Sequence, residues 1–251
     1  KCLTWHMIGK TKTNKHIWAV RVQGQRPGTV LITSGVHGDE KMSVAASLSV
    51  AKSLCAQKTK PKQTVLIVPI LNPDGYSGKY KCKRGNRTCA DINRDAFKWK
   101  TPEGRAFRAL FKRHKVVRYI DMHMTGNIVL LPRPWTKAYG PSRVFYRRLR
   151  QAGLRWWARN GRPPRMLYSW ASEQGIPSVL IEIGRKGEHL KYEKWRQKKR
   201  IRSVVRALIS LLMTRTFALP SPRRLRTGNV ASRKRIYNSR YKKLKRKKRR
   251  R

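Results

Sequence analysis

The 251-residue sequence predicts an α/β fold, a single domain built on a mixed, mostly parallel twisted sheet flanked by helices. Two observations predict it. Six apolar, β-branched runs recur along the chain, and several are continuous rather than alternating, as strands buried on both faces require. Between them lie stretches whose apolar residues recur at helical spacing, so strands and helices alternate. The length suffices for a sizeable core. A hydrophobic content of 39% with eight Trp argues for a folded body rather than a disordered polycation.

The elements follow in order. "IWAVRV" (17–22) and "TVLITSG" (29–35) read as strands. "EKMSVAASLSVAKSLCAQ" (40–57) reads as a helix with Val44, Leu48, Ala51 and Leu54 on one face. "TVLIVPI" (64–70) is the next strand. "PEGRAFRALFKRH" (102–114) sets Phe107, Leu110 and Phe111 on one helical face, behind a Thr-Pro start suited to a helix N-terminus. "VVRYIDMH" (116–123) and "NIVLLP" (127–132) read as strands and "SRVFYRRLRQAGLRWWARN" (142–160) as a helix. "SVLIEIG" (178–184) is the last strand, and "YEKWRQKKRIRSVVRALISLLM" (192–213) closes the fold as a helix. Its apolar end is shorter than the roughly 18 residues of a membrane span and carries Arg206, so no span is expected. The folded domain is expected over 1–220, ending near Pro220 and Pro222. Residues 221–251 are expected to be a disordered basic tail, because "SRYKKLKRKKRRR" (239–251) repels itself and has nothing to bury.

Lys and Arg number 62 against 11 Asp and Glu, a formal charge of +51. Such a surface collects polyanions at low salt. Nucleic acid, lipopolysaccharide, anionic lipid and wall polymers all qualify, and charge alone does not choose among them. The four cysteines contain no C-x-x-C and so give no metal signature. Cys82 and Cys89, seven apart, either form a local disulfide or stay as thiols. The chain opens on Lys1 without a Met or a signal-peptide pattern, as a processed or trimmed protein would. A periplasmic or secreted monomer is expected, with the cytoplasm as the alternative compartment.

Chemistry-bearing residues gather where strands end. "GVHGDE" (35–40) leads from a strand into a helix, "NPDG" (72–75) follows another strand, His123 ends a third and Glu182 lies near the end of a fourth. Open α/β sheets bind ligands beyond the carboxyl ends of their strands. His37, Glu40 and His123 form a His/Glu/His set, the donor set of a catalytic zinc ion that keeps one position for water. In a chain so poor in acids, carboxylates are expected where a cation, a helix end or a buried partner requires them. Glu173, Glu188 and Glu193 read as ordinary neutralising or capping acids. His6, His16, His114 and His189 read as ordinary surface or packing residues.

"GVHGDE", "NPDG", "RGNRTCADINRDAF" (84–97), "IDMH" (120–123) and "SWASEQGIPSVLIEIG" (169–184) occur in the order found in zinc metallocarboxypeptidases of the carboxypeptidase A clan. The sequence resembles the bacterial murein peptide amidases most. In that branch an Arg precedes a D-L-N-R segment by about eight residues, as Arg84 precedes "DINR" here. The resemblance implies one Zn2+ ion on His37, Glu40 and His123. It implies Glu182 as general base, Arg84 as the oxyanion partner, Asn93 and Arg94 on a substrate carboxylate, and Asp91 as the carboxylate that orients His37. Asp74 and Gly75 are expected to shape a turn. The implied activity is hydrolysis of an amide beside a free carboxylate, in a peptidoglycan stem peptide such as one joining D-glutamate to diaminopimelate. The alternatives are an aspartoacylase-type deacylase of N-acyl amino acids and a polyanion-binding protein with a vestigial site. Two departures from the family stand out. Cys89 sits where relatives often carry Gly, and the tyrosine that closes over substrate has no clear counterpart, Tyr168 being a candidate by neighbourhood only.

Overall fold

The computed structural model describes residues 2–78, 84–161, 166–184 and 194–214. The chain order is β1 (Leu3–Lys10), β2 (His16–Val22), β3 (Arg26–Thr33), α1 (Lys41–Cys55), β4 (Gln63–Val68), α2 (Pro73–Tyr76) and a 3-10 turn at Ile92–Arg94. There follow α3 (Pro102–Arg113), β5 (Val116–His123), β6 (Ile128–Leu131), α4 (Tyr139–Gln151), β7 (Ala158–Asn160), α5 (Leu167–Glu173), β8 (Ser178–Glu182) and α6 (Lys194–Met213). The basic tail expected over 221–251 lies outside the described residues, as do Cys82, Glu188, His189 and Glu193. Among the described residues no helix is long and apolar enough to cross a membrane.

All six expected strands form, within one eight-stranded sheet of order β1-β2-β4-β3-β5-β8-β6-β7. The centre, β4-β3-β5-β8, is parallel, as is β6/β7. The pairs β1/β2, β2/β4 and β6/β8 are antiparallel. Alternate strand residues feed two cores, which explains the continuous apolar runs. Val30, Ile32, Ile120 and Met122 pack with Val50 and Leu54 of α1, Phe145 of α4 and Leu208 of α6. Leu31, Tyr119 and Leu180 pack on the other face with Phe107 and Phe111 of α3 and Trp170 of α5. Trp170 meets Trp99 and Phe111 edge-on, each at 4.9 Å between ring centroids, so the tryptophan of the "SWASEQGIPSVLIEIG" segment is a packing anchor.

Four elements depart from expectation. The helix expected over 142–160 stops at Gln151, because Gly153 takes φ +101° and turns the chain. Ala158–Asn160 then joins the sheet as β7. β1 was not expected, since "LTWHMIGK" is an edge strand with no buried run. α5 is only seven residues long, too short for a helical period to show.

The start of β1 is tied to the end of α1 by a disulfide between Cys2 and Cys55, 53 residues apart in sequence. A crosslink closing a loop of that length removes about 4 kcal/mol of unfolded-state entropy. Replacing both cysteines with Ser is expected to lower the unfolding free energy by about that amount in urea titrations. An unchanged midpoint would contradict this role.

Candidate metal centre

The centre lies at the carboxyl ends of β3, β5 and β8. The chain passes from β3 through α1 to β4 on one side, whereas β5 flanks β3 on the other, so β3 and β5 bound the crevice where ligands bind in open α/β sheets. Beyond β3, the Ser34 and Gly35 carbonyls accept from Leu71 and Asn72 N–H. Gly35 has φ +57°, and a Cβ there would come within 3.0 Å of the Pro69 carbonyl oxygen and Ile70 Cα. Only glycine suits that turn, which delivers His37 and Glu40 to the crevice. Glu40 is the N-cap residue of α1, but its side chain caps nothing and turns inward instead.

His37, Glu40 and His123 are all buried, and their ligand atoms lie within 4.8 Å of one another. The Glu40 carboxylate joins the two imidazoles, with Oε1 2.6 Å from His37 Nδ1 and Oε2 2.8 Å from His123 Nδ1. Met124 N–H also donates to Oε2 at 3.1 Å. The two Nδ1 atoms stand 3.2 Å apart. Each imidazole turns its Nε2 outward to a carboxylate: His37 to Asp91 Oδ1 at 3.1 Å, His123 to Asp121 Oδ1 at 3.3 Å. Asn93 Nδ2 also lies 3.3 Å from His123 Nε2. Carboxylates behind imidazoles fix ring orientation and raise ligand basicity.

Electrostatics agree with the geometry. Burial opposes charge on His37, yet Asp91 and Glu40 outweigh it and raise the pKa. For His123, burial is overcome more strongly by Asp121 and Glu40. Glu40 is driven well below the carboxylate range despite burial, chiefly by His123 and then His37. Surroundings that favour protons on two imidazoles also favour a divalent cation between them. Two nitrogens and a carboxylate facing one point could hold a metal ion.

Glu182 ends β8 in direct register with His123 of β5. Burial pushes its pKa up to about 7, with His123 offsetting and Glu40 adding. Its buried Oε2 has no hydrogen-bond partner. Close packing is allowed by Gly126, where a Cβ would lie 3.1 Å from that of Glu182. Arg84 stands at the rim, its side chain 55% exposed and its Nη1 3.3 Å from Glu40 Oε1. Arg94 Nη1 donates to the Asn93 carbonyl. Asn93 is buried, and its Oδ1 accepts from Leu167 N–H at 3.1 Å. Tyr168 is fully buried, as a core residue rather than a surface flap would be.

The loop carrying Arg84 and Asp91 is organised by residues the sequence reading did not single out. Asn86 Oδ1 accepts from Thr88 N–H, Thr88 Oγ1 and Ala90 N–H, while its Nδ2 donates to buried Glu103 at 3.0 Å. Asn72, of the "NPDG" element, donates to the Gly85 carbonyl and caps α2. Asp74 is buried with Thr13 and Lys15 as partners. Cys89 has φ +61°, the conformation a Gly there would take freely, and it is disulfide-bonded. Asp121 was also missed, although two residues apart on one strand means one face of the sheet for Asp121 and His123.

A family model described as zinc carboxypeptidase matches residues 1–87, the span that carries His37, Glu40 and Arg84. The metallo-carboxypeptidase of Burkholderia cenocepacia superposes with a TM-score of 0.69 at 18% identity, over 84% of this chain and 63% of its own. The chain thus spans less than two thirds of that protein's length. Bovine thrombin-activatable fibrinolysis inhibitor, solved with a tick carboxypeptidase inhibitor, gives 0.70 at 18% identity, over 84% of this chain and 90% of its own. The fold is that of the zinc carboxypeptidases. The murein-tripeptide amidase MpaA of Escherichia coli O157 is more distant, with a TM-score of 0.54 at 19% identity over 79% of this chain and 91% of its own. The candidate trio of His37, Glu40 and His123 thus sits on a fold similar to that of both groups.

Two outcomes test the supports of the centre. Asp121→Asn is expected to weaken zinc binding about 10- to 100-fold in competition with a chromophoric chelator; unchanged affinity would remove Asp121 from the account. The second concerns Glu103, whose pKa burial raises, with Asp74 and Asp95 adding to it and the Asn86 bond offsetting in part. A carboxyl raised on folding stabilises the fold most when protonated, and that contribution is lost as pH rises from its unfolded value through the raised one. Glu103→Gln keeps an acceptor for Asn86 and removes the charge, so at pH above that window it is expected to match or exceed the parent stability. Asn86→Ala is expected to lose about 1–3 kcal/mol, because it strands buried Glu103 and the loop amides. Urea titrations at acid and alkaline pH distinguish the two, and a Glu103→Gln loss confined to alkaline pH would contradict the assignment.

Proposed function

We propose that the chain is a zinc-dependent hydrolase that cleaves an amide beside a free carboxylate, in a peptidoglycan stem peptide of the D-glutamate–diaminopimelate type. The observation that carries this reading is the meeting of His37 Nδ1, His123 Nδ1 and the Glu40 carboxylate, with an unpartnered Glu182 oxygen on the adjoining strand. A zinc ion held by those three residues supplies Lewis acidity and makes water acidic near neutral pH. Asp91 and Asp121 keep both Nδ1 atoms inward by engaging the Nε2 atoms. Glu182 takes a proton at its free Oε2 from the water whose oxygen bonds the carbonyl carbon, and returns it to the amine nitrogen as the C–N bond breaks, a task suited to a group balanced near neutrality. Arg84 places a cation at the rim, where the carbonyl oxygen gains negative charge. Arg94 and Asn93 form the carboxylate subsite. Arg94 is the bidentate partner, and Asn93, whose Oδ1 accepts from Leu167 N–H, fixes the turn that carries it.

Three features support the substrate class. The order and spacing of the motifs resemble the murein amidases. A neighbour in fold is a murein-tripeptide amidase. The formal charge of +51 draws in carboxylate-rich peptides and wall polymers. The Cys2–Cys55 disulfide supports a periplasmic or secreted setting, because such bonds persist in oxidising compartments.

Mass spectrometry of purified muropeptides, incubated with and without a chelator and beside small N-acyl amino acids, tests the reaction. Cleavage of stem peptides that ends with chelation is the expected result, and cleavage of the N-acyl amino acids alone would contradict it. Glu182→Gln is expected to lower turnover by at least roughly 10²-fold while zinc stays bound; near-parent turnover would remove Glu182 as the base.

A further inference from the structure

We propose that a cleft between α4 and β7 is a binding site for a phosphate-bearing anion, separate from the metal centre. The cleft measures about 450 Å³ and is lined by Arg143, Arg147, Arg159, Asn160, Tyr139 and Tyr146, and no Asp or Glu lines it among the described residues. Small-ligand sites span roughly 300–1,000 Å³. Arg143 and Arg147 stand one turn apart on α4, where like charges repel, and Arg159 adds a third guanidinium from β7. An anion between them relieves that repulsion.

The walls are fixed. Tyr139 Oη donates to Asn160 Oδ1 at 3.3 Å and Tyr146 Oη to the Trp156 carbonyl at 2.9 Å, so both rings are held at their tips. The Arg143 guanidinium lies 5.9 Å from the Tyr139 ring centroid, within cation–π range. The composition selects the ligand. A single carboxylate brings one charge and two acceptor oxygens, whereas a terminal phosphate brings close to two charges and three acceptor oxygens, and so answers three guanidiniums better. Three arginines from two elements match a phosphate monoester or a pyrophosphate, with the tyrosine faces beside whatever carries it.

Strand register sets the cleft apart from the catalytic edge. Glu182 pairs with Ile128 of β6, whereas the cleft residues Ala158, Arg159 and Asn160 of β7, the strand beyond β6, align with Val129, Leu130 and Leu131, one to three residues further along β6. The cleft therefore lies at the β7 edge of the sheet, two strands from β8, and shares no lining residue with the candidate metal centre.

A chain this basic attracts anions diffusely, so the test separates particular residues from total charge. The full chain is titrated calorimetrically with inorganic pyrophosphate at about 0.15 M salt, where the Debye length is about 8 Å. Arg143→Gln with Arg147→Gln is expected to weaken binding by about tenfold or more, since two charge-assisted bonds are lost. Arg159→Gln alone is expected to weaken it severalfold. Lys58→Gln with Lys60→Gln removes two exposed charges outside the cleft and is expected to change affinity by less than about twofold. Circular dichroism and retained zinc binding confirm that each variant folds. Sedimentation with phosphatidic acid vesicles, whose headgroup is a phosphate monoester, against phosphatidylcholine, identifies the source. Vesicle binding that pyrophosphate displaces and the cleft pair abolishes assigns a lipid headgroup; pyrophosphate binding without a vesicle response assigns a soluble phosphate. Equal weakening by the cleft and lysine pairs, or no saturable pyrophosphate binding, overturns the proposal.

Discussion

The Glu40 carboxylate, held between two imidazoles, is the interaction on which the rest of the site depends. Its two oxygens reach His37 and His123, residues 86 apart in sequence, and so join the loop after β3 to the end of β5. A carboxylate buried this deeply is costly unless it is both paired and hydrogen-bonded. Here both conditions hold, with two imidazoles, the Met124 N–H and the Arg84 guanidinium around it. Its place at the N-terminus of α1 adds the favourable end of a helix dipole. The scarcity of acids in the chain gives this arrangement meaning. One of only 11 acids is spent at a point where positive groups converge.

Around that carboxylate the polar groups form shells that depend on one another. Asp91 and Asp121 aim the imidazoles, and the loop bearing Arg84 and Asp91 is itself tied to the body by Asn86, Glu103 and Asn72. Thr33 bonds both Asp121 and Tyr119, so the chain of contacts runs from the ligand trio into the core beside Phe107. Such buried networks are stable when satisfied and costly when broken. The supports of the site thus reach into the core of the sheet that bears it, as holding reacting groups in one geometry requires. The arginine cleft at β7 stands on different footing, because its guanidiniums are exposed and only a bound anion would order them.

The central parallel strands and the meeting of His37, Glu40 and His123 were legible in the sequence, each from residue types that have a physical reason to be there. Strands buried on both faces leave continuous apolar runs, and a metal site needs residue types that a basic surface has no other use for. What stayed hidden lacked such signals. β1 is mostly exposed, β7 is three residues long and α5 completes fewer than two turns. The apolar residues around Trp156 extended a helical period past Gly153, although the chain turns there. Asp121 was visible beside His123 but looked like one more core-strand residue. The Cys2–Cys55 bridge joins residues 53 apart that only the fold brings together, so spacing could raise only the nearer pair of Cys82 and Cys89 and leave it open.

The central claim is that His37, Glu40 and His123 converge on one metal ion. Anomalous diffraction at the zinc edge from crystals grown with zinc tests it most directly. The account predicts a single strong peak within bonding distance of both Nδ1 atoms and the Glu40 carboxylate, with Glu182 facing its open side. A peak elsewhere, or none among those side chains at full zinc loading, would contradict it.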